Sequence, residues 1–229
     1  MTEQINVISS MATRQILADL SEEYEQLTGR RVTIESVGGI DAARRVQAGE
    51  PFDVVVLAAN VMQQLEESGR IVAGSRVDFA RSAVAMAVRS GSQRPRVDDE
   101  QSVKQAVLQA RNVCYSTGPS GVHLMQLLER WGILGSISQR IVQAPPGVPV
   151  GVWVARGEAD LGFQQLSELL PLPGIDVIGV LPPEIQAMTV FSAGVCNASS
   201  NPREARGLVG YLTSSDSEAL KRRHGMEPA

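Results

Sequence analysis

Four short stretches carry small polar residues where a strand pattern gives way to a helical one. They are Ser9-Ser10-Met11-Ala12-Thr13 with Arg14 behind it, Gly38-Gly39, Ser116 to Gly121 within YSTGPSG, and Gly147 to Gly151 within PPGVPVG. A helix N-terminus exposes N–H groups that have no intrahelical acceptor and carries a partial positive charge, so such a junction suits an anion. The hydroxyls of Ser9, Ser10, Thr13, Ser116, Thr117 and Ser120 can add donors. YSTGPSG contains no lysine or arginine, and Gly121 is followed by Val122 and His123. The G-x-x-x-x-G-K-[ST] phosphate loop is therefore absent, and a nucleoside triphosphate is disfavoured. Each junction alone also reads as an ordinary cap or turn. Four in one chain favour a site for a small anion held by dipoles.

Other groups can take part. Arg14 follows the Ser-Ser loop and can pair a carboxylate bidentately, or simply stand in solvent. Asp41, Arg44, Arg45 and Glu168 are further charged candidates. Gln164 and Gln165 end a strand in FQQLSEL, and alternation points one to the site side and one to the core. His123, Tyr115 and Glu168 are candidate proton carriers. No Ser/His/Asp or Cys/His set of legible spacing exists, so the catalytic residue is unassigned. The sequence has two histidines and no Cys/His cluster, so no metal or other cofactor is expected. Cys114 and Cys196 lie far apart in apolar settings and read as buried thiols.

The elements that must position these groups alternate. INVIS is a strand, and MATRQILADLSEEYEQLTG has helical spacing at Ile16, Leu17, Leu20, Tyr24 and Leu27, with Gly29 as its stop. RVTIESV, FDVVVLAA and SAVAMAVRSG read as strands. GGIDAARRVQAG reads as a helix stopping at Gly49, and NVMQQLEESGR as one stopping at Gly69. After a polar loop RPRVDDEQS come the helix VKQAVLQA, the strand NVCYS and the helix beyond YSTGPSG. QRIVQA, DLGFQQ, IDVIGVLP and MTVFSAGV are strands, PPGVPVGVWVARGEA turns into a helix, and SELL is a turn or short helix. The tail holds two helices with a break at Ser214-Ser215. Such alternation predicts parallel sheets with helices on both faces. One block ends near residue 81 and a second fills 82–191, while the tail helices, lacking a sheet, return to the first. The expected fold is α/β with two lobes, 1–81 plus 192–229 and 82–191, joined by two crossovers about a ligand cleft.

Bulk properties narrow the partners. The 229 residues are 43% hydrophobic and 20% charged, with a net charge of −4 and 4% aromatics. Two lobes of this size can bury real cores. Mild acidity without a basic run, and few aromatics, argue against nucleic acid. No apolar run reaches membrane-spanning length. MTEQINVISS lacks the features of a signal peptide. The chain as written is thus expected in the cytoplasm, and in the periplasm if a leader has been removed.

INVISSMATRQILADLSEEYEQLTG, AARRVQAGEPFDVVVLAA and the tail GYLTSSDSEALKRRHGM resemble the periplasmic molybdate-binding proteins. The resemblance spans nearly the whole chain and implies the type II periplasmic-binding-protein fold, with domain closure over an anion held by hydroxyls and N–H groups. It places Ala12, Gly39 and Gln165 where that family has hydroxyl donors, and Ala58, Ser120 and Val148 where it acts through the backbone. YSTGPSGVHL, PVGVWVARGEADLGFQQLSEL, GIDVIGVLPPEIQAMTVFSAG and SRVDFARSAVAMAVR resemble bacterial aconitate isomerase, and Ser9-Ser10 fits its first loop. The four junctions and the two resemblances together give an expected ligand set of Ser9, Ser10, Met11, Ala12, Thr13, Arg14, Gly38, Gly39, Ala58, Ser116, Ser120, Gly121, Val148, Pro149 and Gln165. The implied guest is a di- or tricarboxylate that is isomerised. The alternatives are a molybdate-like or organic-anion component of a transporter, whose partner would be a permease, and a stand-alone sensor.

Overall fold

In the computed structural model, residues 4–229 are described. They form two compact units, one made of 4–82 with Val190–Ala229 and the other of Ala83–Thr189. Residues 1–3, counted above in the first lobe, lie outside the described residues.

The first unit opens with β1 (Ile5–Ser10), α1 (Arg14–Thr28), β2 (Val32–Val37), α2 (Gly39–Gln47), β3 (Val54–Ala58) and α3 (Ala59–Glu67). β1 lies parallel to both β2 and β3. β9 (Met188–Val195) adds antiparallel to β3, and the order is β2-β1-β3-β9-β4, where β4 is Val77–Arg89. Alternating residues feed two cores. Ile5, Val7, Val54 and Val56 pack with Ile16, Leu17 and Leu20 of α1 and with Leu208 and Leu212 of α9 (Pro202–Leu212). Ile8, Val55 and Leu57 pack with Val46 of α2 and Met62 of α3. Both faces are thus covered, as the near-continuous apolar run VVVLA requires.

The second unit contains the far end of β4, then α4 (Glu100–Gln109), β5 (Val113–Tyr115), α5 (Pro119–Arg130), α6 (Leu134–Ile137), β6 (Ile141–Gln143), α7 (Val150–Ala155), β7 (Leu161–Gln165), α8 (Leu166–Leu169) and β8 (Ile175–Val180). The order is β8-β4-β7-β5-β6, with β5 parallel to β6 and β7 and with β4 antiparallel to β7 and β8. Val84, Met86 and Val88 face one core with Val103, Leu124 and Phe163, while Ala85 and Ala87 face Leu169 on the other side.

The structure refines the reading from sequence in four places. The strand read from SAVAMAVRSG begins at Val77 and runs 13 residues. Part of the supposed loop RPRVDDEQS is helix, because Asp99 caps α4: its side chain accepts from the Ser102 N–H at 2.7 Å, and the Ser102 hydroxyl accepts from the Asp99 N–H at 3.0 Å. α6 was not expected. Beyond α10 (Glu218–Arg223), the chain adds β10 (Met226–Pro228), which pairs with β4 at Ser82–Ala80.

Candidate anion-binding loops

In the first unit, β1, β2 and β3 end at one edge of the sheet, with Ser10 opposite Val37 and Ser9 opposite both Ser36 and Val56. The following helices start there without side-chain caps: Ser10 precedes a 3-10 turn (Met11–Thr13), Gly38 precedes α2, and Ala58 precedes α3. The first-turn N–H groups of α2 and α3 are therefore left for water or a guest. α4, in contrast, closes its own N-terminus with Asp99.

The register sorts the hydroxyls. Ser9 is fully buried, and its Oγ lies 2.8 Å from Ser36 Oγ on the neighbouring strand. Thr13 is also buried and donates to the Ser10 carbonyl at 3.1 Å. Ser10, one residue on, points to the other face and cannot reach Ser36. Its Oγ is the one buried side-chain polar atom without a hydrogen-bond partner among the described residues. Leaving a buried hydroxyl unmatched costs about 1–3 kcal/mol, so Ser10 is poised to donate to something added. Gly39 stands beside it, and a Cβ there would lie 3.8 Å from the Ser10 Cβ.

The neighbouring groups are less available. Met11 is half-buried, Ala12 and Ala58 are buried, and Arg14 is exposed at the start of α1. Arg44 pairs with Asp41 at 2.9 Å, and Arg45 is shared between Glu35 and Glu50. These two arginines serve surface pairs.

In the second unit, β5, β6 and β7 likewise end together, with Tyr115 opposite Gln143 and Phe163. The YSTGPSG loop is held by its own groups. Ser116 Oγ accepts from the Gly118 N–H at 3.2 Å and lies 2.9 Å from Ser120 Oγ. Two hydroxyl hydrogens share that pair and one suffices to join it, so the other remains to donate outward. The Gly121 and Val122 N–H groups bond the Gly118 carbonyl at 3.0 and 3.1 Å, and Pro119 has none. The Ser120 N–H is thus open at the start of α5. Gly121 lets the helix approach the loop: a Cβ on it would stand 1.8 Å from the Ser116 carbonyl oxygen.

The PPGVPVG segment turns on Val148, whose N–H donates to the Pro145 carbonyl at 3.0 Å, and Pro149 leads into α7. A backbone role for Val148 toward a guest therefore requires that turn to open. Gln164 and Gln165 are both buried and point apart, as alternation demands. Gln164 accepts from the Val150 N–H at 2.8 Å and donates to Glu168 at 2.7 Å. Gln165 donates to Thr189 at 2.7 Å. Burial pushes the Glu168 carboxyl up to about 7, against the lowering effect of its Gln164 hydrogen bond. His123, another candidate, is tied by its Nε2 to the Ile185 carbonyl at 2.7 Å. Reading the sequence alone missed Ser36 and Thr189. Ser36 carried one usable sign, its alternating place in VTIESV opposite the Ser-Ser end of the first strand.

No His, Cys, Asp and Glu grouping able to hold a metal exists among the described residues, and no described helix is long and apolar enough to cross a membrane. The loops offer an anion neutral donors.

Known proteins resemble this chain. A curated aconitate isomerase of Pseudomonas sp is 37% identical, over 98% of this chain and 87% of the relative. The molybdate-binding protein ModA of Azotobacter vinelandii is 29% identical over 86% of this chain and 79% of the relative. The solved periplasmic molybdate-binding protein of the same organism superposes with a TM-score of 0.81 at 22% identity, covering 97% of this chain and 98% of that one. The fold is thus the type II periplasmic-binding-protein fold. The family model for bacterial extracellular solute-binding protein matches residues 5–227, and the chain belongs to that family.

Proposed function

We propose that this protein binds a small di- or tricarboxylate and isomerises it, as its relative the aconitate isomerase is named for doing. The observation that carries the reading is the 37% identity over 98% of the chain, well above the 29% shared with the molybdate-binding relative. The loops support it. A 1,3-allylic shift removes a proton beside a carboxylate and returns one two carbons away, so it needs a proton carrier and donors for the charge that develops. Ser10 Oγ, the Ser116–Ser120 hydroxyl pair and the open first-turn N–H groups are such donors, and Glu168 is the carrier with a suitable affinity for its proton. Membership of an extracellular family favours work outside the cytoplasm over the cytoplasmic place suggested by the opening residues.

Incubation of pure protein with trans-aconitate, followed by ultraviolet absorbance and chromatography, tests the reading. Conversion to the cis isomer is expected, and no conversion at micromolar enzyme would rule out that substrate. Ser10→Ala gives a second check with opposite signs. Removing an unmatched buried hydroxyl is expected to stabilise the free protein by up to about 1 kcal/mol while weakening carboxylate binding about tenfold or more. Thermal unfolding and calorimetric titration measure the two effects.

The family's solute-binding description and the molybdate-binding relative favour a second reading, a transporter component that binds without turnover. It predicts strong thermal stabilisation by molybdate or tungstate, and none by aconitate.

A further inference from the structure

The second unit has a recess of about 460 Å³ at the opposite end of its sheet from the loops described above. It lies where β4 ends at Arg89 and β7 begins at Leu161, whereas the loops follow Gln165 at the other end of β7. Five strand residues, roughly 15 Å, separate the two. Its floor is apolar, with Ala106, Ala159 and Leu161 all buried. Its size falls within the range of small-molecule sites.

The charges of its rim are unequally used. Arg111 grips Asp160 with its Nη2 at 2.7 Å, its Nε at 3.0 Å and its backbone N–H at 2.9 Å, so both oxygens of that carboxylate are taken. Nearby guanidinium groups are also committed. Arg94 meets Asp176 at 3.2 Å, Arg96 meets Asp98 at 3.0 Å, and Arg140 donates to the Leu108 and Ala110 carbonyls. The Arg89 carbonyl accepts from the Ser92 N–H at 3.0 Å, but its guanidinium has no ion pair or hydrogen bond among the described residues, and it lies against Gly157, where a Cβ would come within 3.3 Å of its Nη1. With Arg111 and Asp160 cancelling, the recess keeps one positive charge. The side chains of Ser92, Gln93 and Gln109 line it as well, each a neutral donor with no side-chain partner among the described residues.

We propose that this recess is a second ligand site, separate from the anion-binding loops, for a small organic anion bearing one carboxylate or phosphate group, with Arg89 as its charge partner. A planar guanidinium offers two parallel N–H groups to such an oxyanion. The neutral side chains and apolar floor accommodate a short polar body. One unbalanced cation suits a guest with a single oxyanion group rather than guests with several, which a larger basic cluster would favour.

The test is a two-dimensional amide NMR titration of the full protein with butyrate in one arm and glycerol 3-phosphate in the other, at constant ionic strength. Saturable shifts are expected at Ser92, Gln93, Gln109 and Gly157 with millimolar affinity, and the stronger arm identifies the headgroup. Arg89→Gln is expected to weaken binding about tenfold or more. Arg94→Gln, on the same segment but paired with Asp176, is expected to leave it within about twofold. Shifts confined to the Ser10 or Ser120 loops, no saturation at millimolar concentrations, or equal binding by the Arg89→Gln variant would each overturn the proposal.

Discussion

Gly121→Ala is expected to destabilise the second unit by about 3 kcal/mol and to remove anion binding by its loop. The added methyl would stand 1.8 Å from the Ser116 carbonyl oxygen, 2.8 Å from its carbon and 3.0 Å from the Tyr115 ring. Two of these three neighbours are backbone, which cannot swing aside as a side-chain tip can. Either the first turn of α5 or the Ser116–Gly118 segment must move, and the Ser116–Ser120 hydroxyl pair breaks with it. Urea unfolding measures the loss. Gly39→Ala is the matched control, because its methyl would meet only the Ser10 Cβ, at 3.8 Å. That variant is expected to stay within about 1 kcal/mol of the parent, since alanine also favours the helix. Equal stability of the two variants would show that α5 does not need its close approach.

Glu168→Gln is expected to raise stability at pH 8 and leave it nearly unchanged at pH 5. Desolvation pushes the partly buried Glu168 carboxyl up to about 7 in the folded protein, from its ordinary value of 4.5 when unfolded. Between those values the folded chain holds the extra proton, so stability falls as pH rises through that window. Above about pH 7 the full effect is a loss of roughly 3 kcal/mol, at 1.36 kcal/mol for each pH unit. A glutamine keeps an acceptor for Gln164 and carries no charge. Its variant should melt about 6–12 °C higher at pH 8, given about 2–4 °C per kcal/mol for a chain of this size. Melting temperatures from pH 5 to 8 decide the matter, and parallel curves for parent and variant would refute it.

Much of the fold was legible because its signals are local. Gly29, Gly49 and Gly69 end their helices at positive φ, as glycine after an amphipathic run predicts. The alternation of strand and helix carried the α/β class. What was missed depends on distant partners. β10 is three residues long and takes its strand character from Ser82–Ala80, far away in sequence. Asp99 was hidden in a polar stretch, and its Ser102 partner forms the reciprocal cap only once the turn is made. The candidate site shows the same limit. Ser9, Ser10 and Thr13 look alike in sequence, and only the pairing of β1 with β2 gives Ser9 its Ser36. That pairing leaves Ser10 unmatched, and similarly the Glu168 carboxyl owes its character to the enclosure around Gln164.

The two units differ in how they are drawn from the chain. The second is one unbroken stretch, Ala83–Thr189, whereas the first needs both 4–82 and Val190–Ala229. β9 lies beside β3, and β10 closes on β4 with the last residues. On a ribosome, where domains generally fold as units while synthesis proceeds, the inserted unit can complete its sheet while the earlier-made one waits. Until β9 emerges, the buried edge of β3 has no antiparallel neighbour and is an open template for wrong pairing. The sheet of the first unit is thus completed only after the whole of the second has been made.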